Sequence, residues 1–315
     1  MLKQVIEVVV AAREDRAPGL AVFDLVRDGG GRLPLFEAGA HVEAHIAEGL
    51  VRPYSLCGDP ADRERYRLGI LLDPASRGGS RQIFDEWHPG HRVKVSQPRN
   101  LFPLAAQAAH HIMIGGGIGV TPQVAMTCHL AGAGKSFELH YCVRQEERAV
   151  FLPDLRALAG DGTIIPHFSV QRRFDLKADV GPPRDGAHIY VCGPQAFMDS
   201  IIAEARRLGW EDSSIHYEFF DVDVDLIGAP FAVETRDGRT FEVPPDRSIA
   251  EVLMAEGFDI DISCEKGICG SCITDVVEGE PDHRDHYLTD EEKARNDCIA
   301  LCCSRAKGAR LKLAL

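Results

Sequence analysis

Cys264-Glu265-Lys266-Gly267-Ile268-Cys269-Gly270-Ser271-Cys272 decides how this chain is read, together with Cys302, which follows after 29 intervening residues. Three cysteines at C-x4-C-x2-C with a distant fourth are the plant-type spacing for a [2Fe–2S] cluster, whose two irons need four thiolates to complete their sulfur shells. Gly267, Gly270 and Ser271 let the loop backbone close on the inorganic sulfides. Such a cluster moves one electron at a time at low potential, so the spacing predicts a one-electron redox protein. A structural zinc site would instead pair Cys269-x2-Cys272 with Cys298-x3-Cys302 and leave Cys264 surplus. On spacing alone Cys298, Cys302 and Cys303 compete for the place of fourth ligand.

Working outward, a chain of 315 residues has material for two or three domains with cores of their own. Hydrophobic residues make up 45% of it, yet no apolar run approaches the roughly 18 residues of a membrane span. Met1-Leu-Lys-Gln-Val enters an alternating strand pattern at once, which argues against a secretory signal. The ten cysteines of so large a chain therefore read as reduced thiols of a cytoplasmic protein. A net charge of −13 argues against nucleic acid as a partner. The segment Phe231–Leu315 holds 18 acidic against 11 basic residues, hence −7 of that charge. An acidic surface around an electron-transfer centre steers a basic partner, and equally well serves plain solubility.

Three stretches differ in pattern. Residues 1–102 show six short β-branched or alternating runs, 4–10, 21–26, 41–46, 51–56, 66–72 and 92–96, separated by turns such as Asp28-Gly-Gly-Gly31. They predict a small antiparallel β-barrel. Residues 103–225 alternate buried strands (111–114, 137–143, 164–170, 188–192) with helices (122–131, 152–158, 194–208), which predicts an α/β doubly wound sheet. After a polar linker at about 221–230 comes an α+β domain to residue 315, with strands at 231–235, 240–243 and 310–315 and a helix at 249–256. Thr289-Asp-Glu-Glu292 has the form of a capping box opening a helix to about Asn296.

Gly115-Gly116-Gly117-Ile118-Gly119-Val120-Thr121-Pro122 follows the first strand of the α/β stretch and opens a helix. Glycines there admit a pyrophosphate to free helix N–H groups, although the pattern departs from G-x-G-x-x-G and a tight turn alone also wants glycine. Tyr190-Val-Cys192-Gly193-Pro194 ends the last strand, where a ligand of an open α/β sheet is expected; a small thiol packing a turn would look the same. In the barrel stretch, Arg52-Pro-Tyr54-Ser55-Leu56, the strand end Ile70-Leu71 and Arg77-Gly78-Gly79-Ser80 offer what a flavin needs: an aromatic or apolar wall, backbone donors, and a cation with free amides for phosphate, although each motif alone reads as readily as strand and loop. Arg144, after the strand 137–143, opens the mixed stretch Arg144-Gln-Glu-Glu-Arg148, short of the cationic cluster an NADP 2′-phosphate wants, so NADH is preferred over NADPH. His283-Arg-Asp-His286 reads as a solvated loop, for want of a third metal ligand, and His110-His111 as structural.

Taken in order, Arg-x-Tyr-Ser-Leu, Arg77-Gly-Gly-Ser80, Pro98-Arg-Asn100, Gly-Gly-Ile-Gly-Val-Thr-Pro, Tyr-Val-Cys-Gly-Pro-Gln and a C-terminal plant-type ferredoxin (β-grasp) domain resemble the phthalate dioxygenase reductase family across essentially the whole chain. The segments Pro281–Asp285, Leu288-Thr-Asp-Glu and Cys302–Lys307 are similar to its vanillate-type members. The resemblance implies an oxidoreductase that passes electrons from NADH through FMN and a [2Fe–2S] cluster to a Rieske-type terminal oxygenase, one demethylating a methoxylated aromatic acid. It selects Cys302 as fourth ligand and leaves Cys303 and Cys298 as bystanders. It implies the flavin phosphate near Arg52 and residues 77–80, Thr121 near the flavin, Cys192 near the nicotinamide, and an aromatic cover at His216-Tyr-Glu-Phe-Phe220. Phe220 is the expected cover, with Glu218 nearby, although Phe219 competes. A monomer is expected. An FAD-dependent reductase and a non-catalytic iron–sulfur redox sensor are the alternatives. Domain order opposes the first, and the intact Arg52/Tyr54/Ser55 and Gly115–Pro122 sets oppose the second.

Overall fold

The computed structural model describes residues 5–74, 78–220, 222 and 224–315. It divides into two units, 1–220 and 221–315.

The first unit opens with β1 (Val5–Ala17), β2 (Leu20–Arg27), β3 (Ala40–Ala47), β4 (Leu50–Ser55), β5 (Tyr66–Leu71), helix α1 (Gly79–Glu86), β6 (Arg92–Ser96) and β7 (Arg99–Asn100). Hydrogen bonding runs β4-β3-β6-β1-β2-β5, with β7 on β3, and a bridge between Leu56 and Leu68 closes the ends into the expected barrel. Alternation explains the strands: in β1, Ile6, Val8 and Val10 are buried while Val5 and Glu7 face outward. That strand runs to Ala17, seven residues past its expected end, through Arg13-Glu-Asp-Arg16. Pairing with β2 and the ion pairs Arg13–Asp15 and Arg16–Glu14 carry it where apolar alternation stops. The barrel core gathers these side chains around Phe23 and Trp87, whose rings meet edge to face at 5.6 Å.

The chain then builds β8 (His110–Gly116), α2 (Thr121–Gly132), β9 (Ser136–Val143), α3 (Leu152–Leu158), β10 (Thr163–Phe168), α4 (Leu176–Asp179), β11 (Ala187–Gly193), α5 (Gln195–Arg207) and β12 (Ile215–Phe219). All five strands are parallel in the order β10-β9-β8-β11-β12. β8 and β11 are near-continuous apolar runs because both faces are covered. The edge strand β12 was not expected: His216, Glu218 and the exposed Tyr217 break its apolar pattern. A second core joins Leu20, Val22, Ala38 and Cys57 of the barrel part to Met113, Leu139 and Tyr190 of the sheet and Val124 of α2, which makes one unit of the two layers.

The second unit holds β13 (Phe231–Glu234), β14 (Thr240–Val243), α6 (Ile249–Ala255), β15 (Ile273–Glu278), β16 (Pro281–Asp282), α7 (Asp290–Arg295), β17 (Cys298–Ala300), β18 (Arg305–Ala306) and β19 (Arg310–Leu313). The mixed sheet β14-β13-β19-β15-β17 pairs β13 and β19 in parallel and packs α6 on one face, the ferredoxin arrangement. The capping box read from Thr289 and Glu292 is formed, and Asn296 ends α7 in the left-handed region at φ 54°. Ser248 and Glu251 make the same box on α6.

Candidate functional site

The switch in strand order lies between β8 and β11, whose carboxyl ends carry Gly115–Gly116 and Cys192–Gly193. In an open α/β sheet this is where ligands bind. The glycines there divide by what surrounds them. A Cβ on Gly115 would sit 2.5 Å from Gln123 Oε1, on Gly116 2.9 Å from the Phe197 ring, and on Gly119 2.5 Å from the Cys192 carbonyl. Those three are explained by protein packing. Gly117 differs: its φ is +56° and an added Cβ would meet nothing within 4 Å, so open space lies beside backbone amides at the entry to α2.

Cys192 is fully buried against Gly119. Burial pushes its thiol well above the ordinary range, with Glu218 adding to the effect, so it is a neutral wall rather than a nucleophile. Across the β11–β12 pair Cys192 is in register with Glu218. Glu218 lies where barrel and sheet meet: it hydrogen-bonds Ser55 of β4, and its Oε1 is 3.9 Å from His41 Nδ1 of β3. Its Oε2 is buried without a hydrogen-bond partner among the described residues. Burial pushes its carboxyl up to about 8, against the lowering contact with Ser55. A buried carboxyl with an orphan oxygen at a switch point is a group prepared to hold or pass a proton, or to accept a ligand donor.

Thr121 Oγ1 donates to Ile118 O at 2.9 Å, while its methyl lies against Gly69 of β5, where a Cβ would come within 2.8 Å. Thr121 is thus fixed between sheet and barrel. Side chains alternate along β12: Tyr217 and Phe219 meet at 5.5 Å on one side, so Glu218 falls on the other, and Phe220 follows one residue past the strand. Phe220 is half-buried against the second core. His41, Gly69 and Phe151, which also crowds Gly69, carried no sequence signal, because each matters only through a neighbour far along the chain.

In the barrel, Gly79 at the start of α1 lies against Arg52, with 3.1 Å to Cγ for an added Cβ, and Gly78 before it has φ 106°. Only glycine fits that entry turn. Ser80 Oγ accepts from the Asp73 amide at 3.1 Å, and Arg77 lies outside the described residues. Tyr54 is a partly buried strand residue whose hydroxyl is pushed up by burial. Leu56 and Ile70 point into the barrel core, and the Leu56 amide, expected as a donor to a flavin, is given to Ala40 O at 2.9 Å. Leu71 and Arg144 are exposed. Arg52 and the glycine turn Gly78–Ser80 at the entry to α1 still fit a flavin phosphate.

In the second unit Cys264, Cys269, Cys272 and Cys302 are all buried, with Cys264 touching Cys269 and Cys302, and Cys302 touching Cys272. The Lys266 amide donates to the Cys264 sulfur at 3.3 Å. A buried four-thiol set of this kind fits a [2Fe–2S] cluster. Gly267, at φ 69°, has no room for a Cβ beside Cys303 Sγ, and Gly270, at φ 73°, lies under the Tyr287 ring. Cys298 stands apart, half-buried on β17 beside Asp297 and pushed up to about 11, mainly by burial. Cys303 is fully buried next to Cys302 and bonds Ala300 O. The solvated-loop reading of residues 283–286 fails at its centre: Asp285 is buried, accepting from the Leu288 amide at 2.8 Å and from Ser304 Oγ at 3.4 Å.

Residues 233–307 match the family model described as 2Fe-2S iron-sulfur cluster binding domain, and residues 92–215 that of the dimethylamine monooxygenase subunit DmmA-like, N-terminal domain. The vanillate O-demethylase oxidoreductase of Pseudomonas sp. (strain HR199 / DSM 7063) is 42% identical over 316 residues, 98% of this chain and 100% of that protein. The solved phthalate dioxygenase reductase, described as a modular structure for electron transfer from pyridine nucleotides to [2Fe-2S], superposes with a TM-score of 0.76 at 36% identity, over 99% of this chain and 98% of that one. An intact type IV self-sufficient cytochrome P450 monooxygenase superposes with a TM-score of 0.85 at 35% identity, over 99% of this chain but 41% of that longer one.

Proposed function

This chain belongs to the phthalate dioxygenase reductase family and is the reductase component of an oxygenase system, and we propose that it takes electrons from NADH through FMN and a [2Fe–2S] cluster to a Rieske-type terminal oxygenase. The observation that carries this reading is the union, in one chain, of four touching buried cysteines with a switch-point crevice lined by Ser55, Thr121, Cys192 and Glu218. FMN, when bound, accepts electrons in pairs from the nicotinamide and releases them singly to the cluster.

The chain's residues do the positioning. Arg52 and Gly78–Ser80 would hold the flavin phosphate; Tyr54, Ser55 and the exposed Leu71 would line its ring, while Ile70, turned into the barrel core, backs that strand end without touching the ring. Gly115–Gly117, Gly119, Gly193 and Pro194 shape the pyrophosphate turn, and Arg144 stands at the nucleotide's edge. Thr121 and Cys192 wall the reacting face, which must keep donor and acceptor atoms at about 3–3.5 Å. Phe220 would cover it. Cys264, Cys269, Cys272 and Cys302 hold the cluster. Supporting NADH, Arg148 is spent on Pro18 O at 3.0 Å and Arg172 on Asp179, which thins the cations left for a 2′-phosphate. The division into 1–102, 103–225 and 226–315 assigns flavin, nucleotide and cluster to successive domains of a cytoplasmic monomer. No described helix is long and apolar enough to cross a membrane.

The vanillate-type relatives point to a partner that demethylates a methoxylated aromatic acid. A haem partner is the second reading, favoured by the likeness to part of a self-sufficient P450 chain. Anaerobic titration with NADH, followed by identification of the extracted flavin, tests the core of this. Flavin bleaching, then loss of cluster absorbance, with FMN in the extract, is expected; no spectral change, or FAD in the extract, defeats it. Reduction of a purified Rieske oxygenase, set against a P450, decides between the partners.

A further inference from the structure

Two segments that the sequence sets apart, Pro281–Asp285 and Cys302–Lys307, contribute only Cys302 to the electron path. Each also supplies an arginine, and the two arginines act on one stretch of backbone. Arg305 is 1% exposed. It donates from Nη1 to Arg247 O at 2.8 Å and from Nη2 to Ala229 O at 3.1 Å and Pro244 O at 2.9 Å, with its guanidinium 5.0 Å from the centre of the Phe231 ring. Arg284 Nη1 donates to Asp225 O at 2.6 Å and Ile227 O at 3.0 Å, while its Nε holds Asp282 at 2.8 Å. Gly228 lies between them: a Cβ there would be 2.8 Å from Arg305 Nε and 3.3 Å from Arg284 Nη2. A third cation, Lys266 within the cluster loop, donates from Nζ to Val222 O at 3.0 Å.

Four carbonyls between 222 and 229 are thus taken by three cations. A free tether would leave them to water. Arginine suits the task because its planar fork reaches two or three carbonyls at once, where lysine is a point charge. A buried guanidinium is costly unless those acceptors stay in place, so the arrangement holds only while the segment is docked. The sequence positions make the docking pointed. Lys266 lies between Cys264 and Cys269, Arg305 three residues beyond Cys302, and Val222 two residues beyond Phe220. Backbone that has just left the candidate flavin cover is gripped by the segments that supply the cluster's ligands.

We propose that Lys266, Arg284 and Arg305 are positioning residues for electron transfer: they clamp Val222 and residues 225–229 onto the cluster domain, so that the cluster is carried on a short connection to Phe220, and this sets the rate at which electrons reach the cluster from the flavin. The idea rests on the electron path proposed above.

The test uses the full-length holoprotein and the variants Arg305→Lys, Arg284→Lys and Gly228→Ala. Anaerobic stopped flow with NADH reads flavin and cluster reduction as separate phases, and hydrogen exchange reads the amides of 222–229. In Arg305→Lys the cluster phase slows about tenfold while the flavin phase stays within about twofold. Amide exchange of 222–229 accelerates, and the electron paramagnetic resonance signal of the reduced cluster keeps its shape and intensity. Unchanged exchange removes the clamp, and faster exchange with an unchanged cluster phase removes its role in transfer; either result overturns the proposal. Should Arg305→Lys lose its cluster, Arg284→Lys and Gly228→Ala decide by the same two readings. If NADH leaves the wild-type flavin oxidised, the electron path itself falls, while exchange still reports on the clamp.

Discussion

Three of the four cysteines proposed to hold the cluster lie within nine consecutive residues, and the fourth is reached within the same small domain. The crevice of the larger unit is assembled differently, with His41 and Ser55 from the barrel, Gly117 and Thr121 from the turn after β8, Cys192 from β11 and Glu218 from β12. The cluster site is a local loop whose shape is written in positive-φ glycines and cysteine spacing. The crevice is a meeting of elements, and its chemistry belongs to no one of them. A change in the loop should therefore act sharply on one function, whereas a change in the crevice acts on packing, protonation and binding together.

The largest expected effect lies in the loop. Cys302→Ser removes a sulfur that touches both Cys264 and Cys272. It should abolish cluster absorbance and delivery of electrons to the oxygenase while leaving reduction of the flavin by NADH intact. Cys303→Ser, one residue on, should keep the cluster, at some cost in stability for a buried side chain. Visible spectra and acceptor-specific assays separate the two. The reverse outcome would move the fourth ligand to Cys303.

The same contrast explains what could be read in advance. The cluster loop, both capping motifs of α7 and the strand–turn–helix after β8 are local, so residue type and spacing announce them. β1 outran its apolar pattern because its charged half is held by pairing with β2, and β12 escaped notice because Glu218 and His216 are placed for neighbours rather than for solvent alternation. The pairing of Glu218 with Ser55 and His41 joins positions more than 160 residues apart, and nothing in the intervening sequence records it. The resemblance named Glu218 and Phe220; in the structure the Tyr217 and Phe219 rings meet along β12, and Phe220 lies one residue past the strand. Arg284 and Arg305 stood in plain view as motif residues, yet their acceptors are backbone carbonyls, which leave no mark in sequence.

Next in size is Glu218. Burial raises its carboxyl to about 8 in the folded protein, from 4.5 in a free chain. Below pH 4.5 both states hold the proton and the site costs nothing. As pH rises to about 8, the unfolded chain ionises first and folded stability declines, by at most about 5 kcal/mol and less once solvent reaches the site. Above pH 8 both states are ionised and the loss levels off. Glu218→Gln cannot titrate, so its melting temperature should overtake the wild type's between those limits. A difference between the two that does not vary with pH would show that the carboxyl is already ionised, and the proton-holding role would go with it.

The smallest effect is expected at Gly117, and it bears most directly on what the crevice binds. Its neighbours Gly115, Gly116 and Gly119 are fixed by protein atoms that a methyl would strike, so substitutions there report only on packing. Gly117→Ala meets no atom, and the left-handed φ alone should cost about 1 kcal/mol of stability. The new methyl would instead stand in the open space beside the α2 amides, where a pyrophosphate has to approach. The KM for NADH should therefore rise about three- to tenfold with kcat nearly unchanged, the pattern of lost uniform binding. If stability falls by the expected amount and the KM stays where it was, Gly117 is a turn residue only, and the dinucleotide must enter the crevice by another side.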